Sequence, residues 1–303
     1  MMQVLKKIIS MLCIAFLICS FFVNGKSEML VFGHRGASFD APENTLAAVK
    51  KAFKLGADGV EVDVQMTADK KVVVLHDDTL KRTATYTREL KEKTGMSRQQ
   101  FDVIVNTPIC QLCYDEFKYI DIGLWKGKNW SQEKVPTLDE ILRIVLMPEK
   151  LNRKIQIEIK GGNLAIVPEL KKILSQYSKK VLAQSVIFIG FDFEVMSVAK
   201  KEMPDCRVLL LREFKQVPML QDIIQCIDRV AIAELDGVGF EAAQALVTQK
   251  IVGYAHQKNK LIGVWVYSEQ DTIQNLKYLQ SLGIDFMTTN LPPEIVSCIS
   301  VYF

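Results

Sequence analysis

The sequence predicts an α/β protein whose parallel strands close into a barrel. Three observations carry this: short Val- and Ile-rich runs recur, amphipathic segments separate most of them, and the glycine-rich dinucleotide turn of an open sheet is missing. The runs are Met29–Phe32, Gly59–Val64, Ile155–Ile159, Val186–Ile189, Arg207–Leu211, Val230–Leu235, Leu261–Val266 and Ile284–Met287. Eight is the closing number of a TIM (β/α)8 barrel, and one such barrel can occupy a chain of 303 residues. An open doubly wound sheet is the alternative.

After the first run, Leu46, Val49 and Phe53 recur at helical spacing, with Lys50, Lys51 and Lys54 on the opposite side. Asp40-Ala-Pro-Glu43 and Thr137-Leu-Asp-Glu140 each resemble a capping box at a helix start. One interval breaks the rhythm. Val64 is followed by a turn, Thr67-Ala-Asp-Lys70, a second strand-like run, Val72–Leu75, and then about 60 residues before Thr137. Long stretches of this kind are usually lids or binding loops. The segment from about residue 77 to 135 is therefore expected to be an insertion over the catalytic face, after the second strand.

Composition supports a large buried core: 49% of residues are hydrophobic and 24% charged. The net charge of +3 is small and dispersed, so no basic face marks a nucleic-acid partner. Lys6-Lys7 precede an apolar run from Ile8 to Val23, and polar residues follow from Asn24. This reads as a signal peptide over residues 1–25, exporting one domain over 29–303; an uncleaved membrane anchor is the alternative, for which the run is short. The remaining cysteines, Cys110, Cys113, Cys206, Cys226 and Cys298, form no disulfide framework. Cys110-Gln-Leu-Cys113 has zinc-like spacing without a second ligand pair, so a bridge or two buried thiols is expected there.

Successive side chains on a strand point to opposite faces. In Val60-Glu61-Val62-Asp63-Val64 both carboxylates therefore share one face and the valines the other. Ile155-Gln156-Ile157-Glu158-Ile159-Lys160 repeats the arrangement, with Gln156, Glu158 and Lys160 together. In a barrel the branched residues pack under the helices, and the polar set faces inward at the C-terminal mouth, where active sites lie. Internal salt bridges would explain either strand alone. Two strands alike favour a site, and three converging carboxylates form an all-oxygen set suited to Mg²⁺ or Ca²⁺. His34, in Gly33-His34-Arg35-Gly36, and His76, in His76-Asp77-Asp78, lie where strands end, and histidine transfers protons near neutral pH. Arg35 offers a planar fork matched to phosphate oxygens. His256 reads as a helix-end residue outside the chemistry.

These motifs resemble the glycerophosphodiester phosphodiesterase family. The resemblance is carried by His34-Arg35-Gly36-Ala37-Ser38, Ala41-Pro42-Glu43-Asn44-Thr45, Gly56–Val64 and Val74–Thr83, and it continues through Asp121-Ile122-Gly123, Val135–Glu140 and Ile157–Lys160. It implies a TIM barrel that uses a divalent cation to hydrolyse small glycerophosphodiesters to glycerol 3-phosphate and an alcohol. By position, Glu61, Asp63 and Glu158 would hold the metal, His34 and His76 exchange protons, and Arg35 and Lys160 clamp phosphate. The attacking group would be a glycerol hydroxyl, giving a cyclic phosphate, or water. The seventh strand departs from the family's Trp-Thr-Val-Asn, reading Trp265-Val266-Tyr267-Ser268, and Thr289-Asn290-Leu291-Pro292 replaces Thr-Asp-x-Pro. Trp265 is expected to line the substrate pocket. Two rivals keep the barrel. One is a phosphodiesterase of lysophospholipids, with membrane-surface contact, whose acyl chain meets insertion aromatics among Phe101, Phe117, Tyr119, Trp125 and Trp130; against it, those aromatics make a mini-core under a lid. The other is a non-catalytic phosphoester-binding barrel.

Overall fold

The computed structural model describes residues 29–146, 152–214, 218–242, 247–266 and 271–291. The N-terminal apolar run, Cys298, Tyr267 and Ser268 lie outside the described residues. The strands are β1 (Leu30–Gly33), β2 (Gly59–Met66), β3 (Val72–Val74), β4 (Lys154–Ile159), β5 (Val186–Gly190), β6 (Arg207–Arg212), β7 (Gly237–Glu241), β8 (Leu261–Trp265) and β9 (Phe286–Thr289). All but β3 run parallel in the closed order β1-β2-β4-β5-β6-β7-β8-β9, and β9 returns to β1 with Leu30 opposite Phe286. The expected TIM barrel is the fold. β3 pairs antiparallel with β2, Val64 opposite Val74, and extends the sheet outside the closed ring.

Period-two alternation sorts the strand residues as expected. Val60, Val62, Val64, Ile155, Ile157 and Ile159 join the buried layer beneath the helices. The opposite faces of the strands fill the lumen, where Phe32, Ile187, Ile189, Leu209, Leu211 and Phe286 form an apolar plug. Space for it comes from small residues: a Cβ on Gly263 of β8 would lie 1.9 Å from the Phe286 ring.

Two expected boundaries differ. Val230–Leu235 is not the strand that follows β6. Ile223, Ile227 and Val230 recur at helical spacing and are buried on the helix Leu220–Ile232, and the strand begins at Gly237. Its sequence, Gly237-Val-Gly-Phe-Glu241, has weak strand propensity, but a Cβ at Gly237 would sit 2.3 Å from the Leu261 carbonyl oxygen. Backbone proximity, not propensity, selects that glycine. Asp40–Glu43 likewise starts no helix; Thr45 caps Leu46–Lys54, its hydroxyl accepting from the Ala48 N–H at 3.1 Å. Thr137 and Glu140 do form the capping box of Leu138–Val145.

Between β3 and that helix lies the insertion. Its helices Arg88–Thr94, Arg98–Asn106 and Tyr114–Phe117 surround a separate core that includes Leu80, Leu90, Phe101, Ile109, Phe117 and Ile122. Phe101 and Phe117 are thus buried in a mini-core, while Trp125 stands at the barrel mouth. Asp121 shapes the Trp125 turn by accepting from the N–H groups of Gly123 and Leu124, both at 2.8 Å, and from Gln132. Cys110 and Cys113 are free, exposed thiols, neither bridged nor buried. Ile109 and Leu112 take the inward positions of that turn, leaving both cysteines outside.

Candidate active site

The C-terminal ends of the strands surround a cavity of about 620 Å³ lined by His34, Arg35, Glu61, His76, Glu158, Lys160 and Trp265. Of the residues expected at the site, only Asp63 is not on that lining; it is 1% exposed, directly behind Arg35 and Lys160.

The acidic centre follows from register. Asp63 of β2 pairs with Glu158 of β4, and Glu61 with Gln156 one step deeper. One oxygen from each of Glu61, Asp63 and Glu158 falls within 4.8 Å of the others. Burial first, then Asp63 and Glu158, drives the Glu61 carboxyl well above the usual carboxylate range. Burial and Asp63 raise Glu158 too, against the opposing pull of Lys160. Glu61 Oε1 is buried with no hydrogen-bond partner. A buried, unpartnered oxygen amid crowded carboxylates is what a hard cation relieves, so the residues present fit a divalent metal.

Both expected phosphate-binding cations are already engaged. Lys160 Nζ donates to Glu158 Oε1 at 2.8 Å and lies 3.5 Å from Asp63 Oδ1. Arg35 adopts a left-handed backbone (φ 54°), which aims its N–H at Glu61 Oε2, 2.8 Å away. Its guanidinium donates to Glu43 Oε1 at 2.9 Å and lies 3.5 Å from Asp63 Oδ2. Asn44, also left-handed, donates to Asp63 Oδ2 at 2.8 Å and accepts the Asp63 N–H.

Each histidine is oriented through Nδ1. His34 Nδ1 donates to Asn290 Oδ1 at 2.8 Å, which leaves Nε2 4.0 Å from Glu61. Enclosure at the mouth, and then the Arg35 charge, push His34 down to about 4, so its imidazole is neutral at physiological pH. His76 Nδ1 lies 2.7 Å from Asp77 Oδ1. The Gln65 amide holds this turn by donating to the carbonyls of Leu75, His76 and Asp77.

The lining also carries apolar side chains: Ile189, Phe191, Leu211, Trp265 and Phe286. Trp265 packs edge-to-face on Phe191, centroids 5.7 Å apart. His256 ends the helix Gln249–Gln257, 3.0 Å from Asp285 and away from the cavity. Sequence reasoning did not assign Asn44, Asp77, Arg82, Gln156 or Asn290 to the site. Gln156 carried a signal, since it shares the inward face with Glu158. It accepts from Thr288 at 2.8 Å, and its buried Nε2 has no partner at the cavity floor.

Fold and site together define a class: a (β/α)8 barrel with a cation-ready carboxylate centre flanked by two oriented histidines. The model of the glycerophosphoryl diester phosphodiesterase family matches residues 34–294. A glycerophosphodiester phosphodiesterase of Caldanaerobacter subterraneus is 33% identical over 185 residues, covering 61% of this chain and 67% of that protein. Another, from Bacillus altitudinis, is 25% identical over 268 residues, covering 88% of this chain and 96% of its own length. In fold the chain is similar to an Oleispira antarctica phosphodiesterase solved with the product sn-glycerol-3-phosphate; the TM-score is 0.70 at 22% identity, over 89% of this chain and 96% of that one. The chain belongs to the glycerophosphoryl diester phosphodiesterase family.

Proposed function

We propose that this protein hydrolyses glycerophosphodiesters to glycerol 3-phosphate and an alcohol, with Mg²⁺ or Ca²⁺ held by Glu61, Asp63 and Glu158. The observation that carries this reading is the pairing of the two histidines, each anchored at Nδ1, on one cavity with the acidic centre. A bound cation supplies Lewis-acid polarisation of a phosphoryl oxygen. Neutral His34 accepts the proton of the attacking hydroxyl at Nε2. His76, oriented by Asp77 through Nδ1, donates to the departing alkoxide. Arg35 and Lys160, at the edge of the carboxylate centre, would hold the phosphate. The attacking oxygen is water or the neighbouring glycerol hydroxyl; phosphorus NMR separates them, because only the second gives a cyclic phosphate. The N-terminal apolar run supports export.

The test is release of glycerol 3-phosphate from glycerophosphocholine, with EDTA and with added Mg²⁺ or Ca²⁺. Release that requires the cation supports the reading; no release under either cation leaves a binding barrel. The apolar lining at Phe191 and Trp265 favours one second reading, an acyl-bearing lysophospholipid as substrate. Turnover of lysophosphatidylcholine equal to or above that of glycerophosphocholine would establish it.

A further inference from the structure

The two histidines stand on separate loops, His34 after β1 and His76 after β3. Arg82, which is not part of the cavity lining, ties those loops together. One edge of its guanidinium grips Asp77, Nε to Oδ2 at 2.7 Å and Nη2 to Oδ1 at 3.1 Å. The other edge grips Glu43, Nη1 to Oε2 and Nη2 to Oε1, both at 2.7 Å. Asp77 Oδ1 is also the atom 2.7 Å from His76 Nδ1, and Glu43 Oε1 also accepts from Arg35, the neighbour of His34. A continuous chain therefore runs His76–Asp77–Arg82–Glu43–Arg35. Against the upward push of burial, Arg82 and then His76 hold the Asp77 carboxyl down at about 2, so Asp77 keeps its charge toward the imidazole.

Stability alone does not explain so complete a use of one fork. The Arg82 side chain is 43% exposed, and ion pairs this open add little to stability. Its geometry explains more. Planar N–H groups on two edges can hold two carboxylates at a fixed separation, which a lysine cannot reproduce.

We propose that Arg82 is a positioning residue that sets the placement of His76 relative to His34 by holding Asp77 and Glu43 in one fork. The inference rests on the reading of the two histidines as the proton-transfer pair. Misplacement of His76 weakens protonation of the leaving alkoxide and leaves phosphate binding intact. The cost therefore depends on how much help the leaving group needs.

The experiment compares wild type, Arg82→Met, Arg82→Lys, Arg82→Ala and His76→Ala on glycerophosphocholine and on the p-nitrophenyl ester of glycerol phosphate, whose phenolate departs without a proton. For Arg82→Met, kcat on the choline ester is expected to fall about 10- to 100-fold, part of the full general-acid contribution, with KM within about twofold. The p-nitrophenyl ester is expected to be cleaved near the wild-type rate, and Arg82→Lys to restore little. Guanidinium ion added to Arg82→Ala is expected to recover part of kcat. Equal losses on both esters, a raised KM with unchanged kcat, or full activity in Arg82→Lys would overturn the positioning role. His76→Ala separates the two levels. If it collapses on the choline ester while Arg82→Met stays at wild type, the positioning role alone fails. If His76→Ala itself stays near wild type, the acid assignment fails and takes the inference with it.

Discussion

Adding a divalent cation to the cation-free protein is expected to raise its melting temperature, and Glu158→Gln to remove most of that rise. The structure sets the scale. Three carboxylate oxygens lie within 4.8 Å of one another. Two unit charges at that spacing repel by about 3 kcal/mol at an effective dielectric of about 20. Lys160 and Arg35 offset part of this, and the raised Glu61 and Glu158 carboxyls relieve more by keeping protons. A cation supplied at about 100 times its dissociation constant stabilises the fold by about 2.7 kcal/mol. For a domain of this size that is a shift of about 5 °C. Glu158→Gln takes away one ligand charge and one source of repulsion. Its cation-free melting temperature is expected to match or exceed wild type, while its cation response falls below about 2 °C. The pH dependence has a definite sign. Raised carboxyls mean that the folded state binds more protons than the unfolded one, so the cation-free protein loses stability as pH rises from the ordinary carboxylate range through the raised range. The cation response grows over the same interval. Scanning calorimetry on EDTA-dialysed protein, at constant ionic strength, measures both. A wild-type shift absent with both Mg²⁺ and Ca²⁺, or an equal shift in Glu158→Gln, would refute the cation assignment.

His34→Ala is expected to lower kcat on glycerophosphocholine by about 10²–10⁴ while the melting temperature stays within a few degrees, read by steady-state kinetics and calorimetry on one preparation. Asp77, held at about 2, stabilises the fold at pH values above the ordinary aspartate range, and that stability disappears as pH falls through about 2. Asp77→Asn should therefore flatten the acid limb of a urea-unfolding series by no more than about 2 kcal/mol, solvent screening reducing this further. A parallel limb in the variant would contradict the Arg82 and His76 contacts. Gly263→Ala puts a methyl 1.9 Å from the Phe286 ring and is expected to cost about 1–3 kcal/mol, with Phe286→Leu recovering part of it in the double variant.

The barrel was legible because its strands alternate against a buried helix layer. Val60, Val62 and Val64 leave Glu61 and Asp63 no face but the lumen, and Ile155, Ile157 and Ile159 do the same for Glu158. β7 was hidden because its glycines are selected by a neighbouring backbone, which no local propensity records. The groups that hold the side chains of the candidate site were harder still. Asn290 meets His34 across 256 positions, and Arg82 meets Glu43 across 39. Their side chains are ordinary polar residues until the loops that carry them are brought together. Gln156 was placed on the right face, but its unpartnered amide follows from Thr288 on the far side of the lumen.

The seam between β1 and β9 ties closure of the ring to the geometry of the site. Leu30 pairs with Phe286, so the ring stays open until nearly the whole chain has been made. The same seam delivers Asn290 to His34 and the Thr289 carbonyl to the His34 N–H, at 2.8 Å each. The carboxylates of β2 and β4 can assemble earlier, from strands that are adjacent in the sheet. A nascent or truncated chain would thus be able to gather its acidic centre while the imidazole opposite remained unaimed. Pairing of the last strand with the first is what aims the His34 ring.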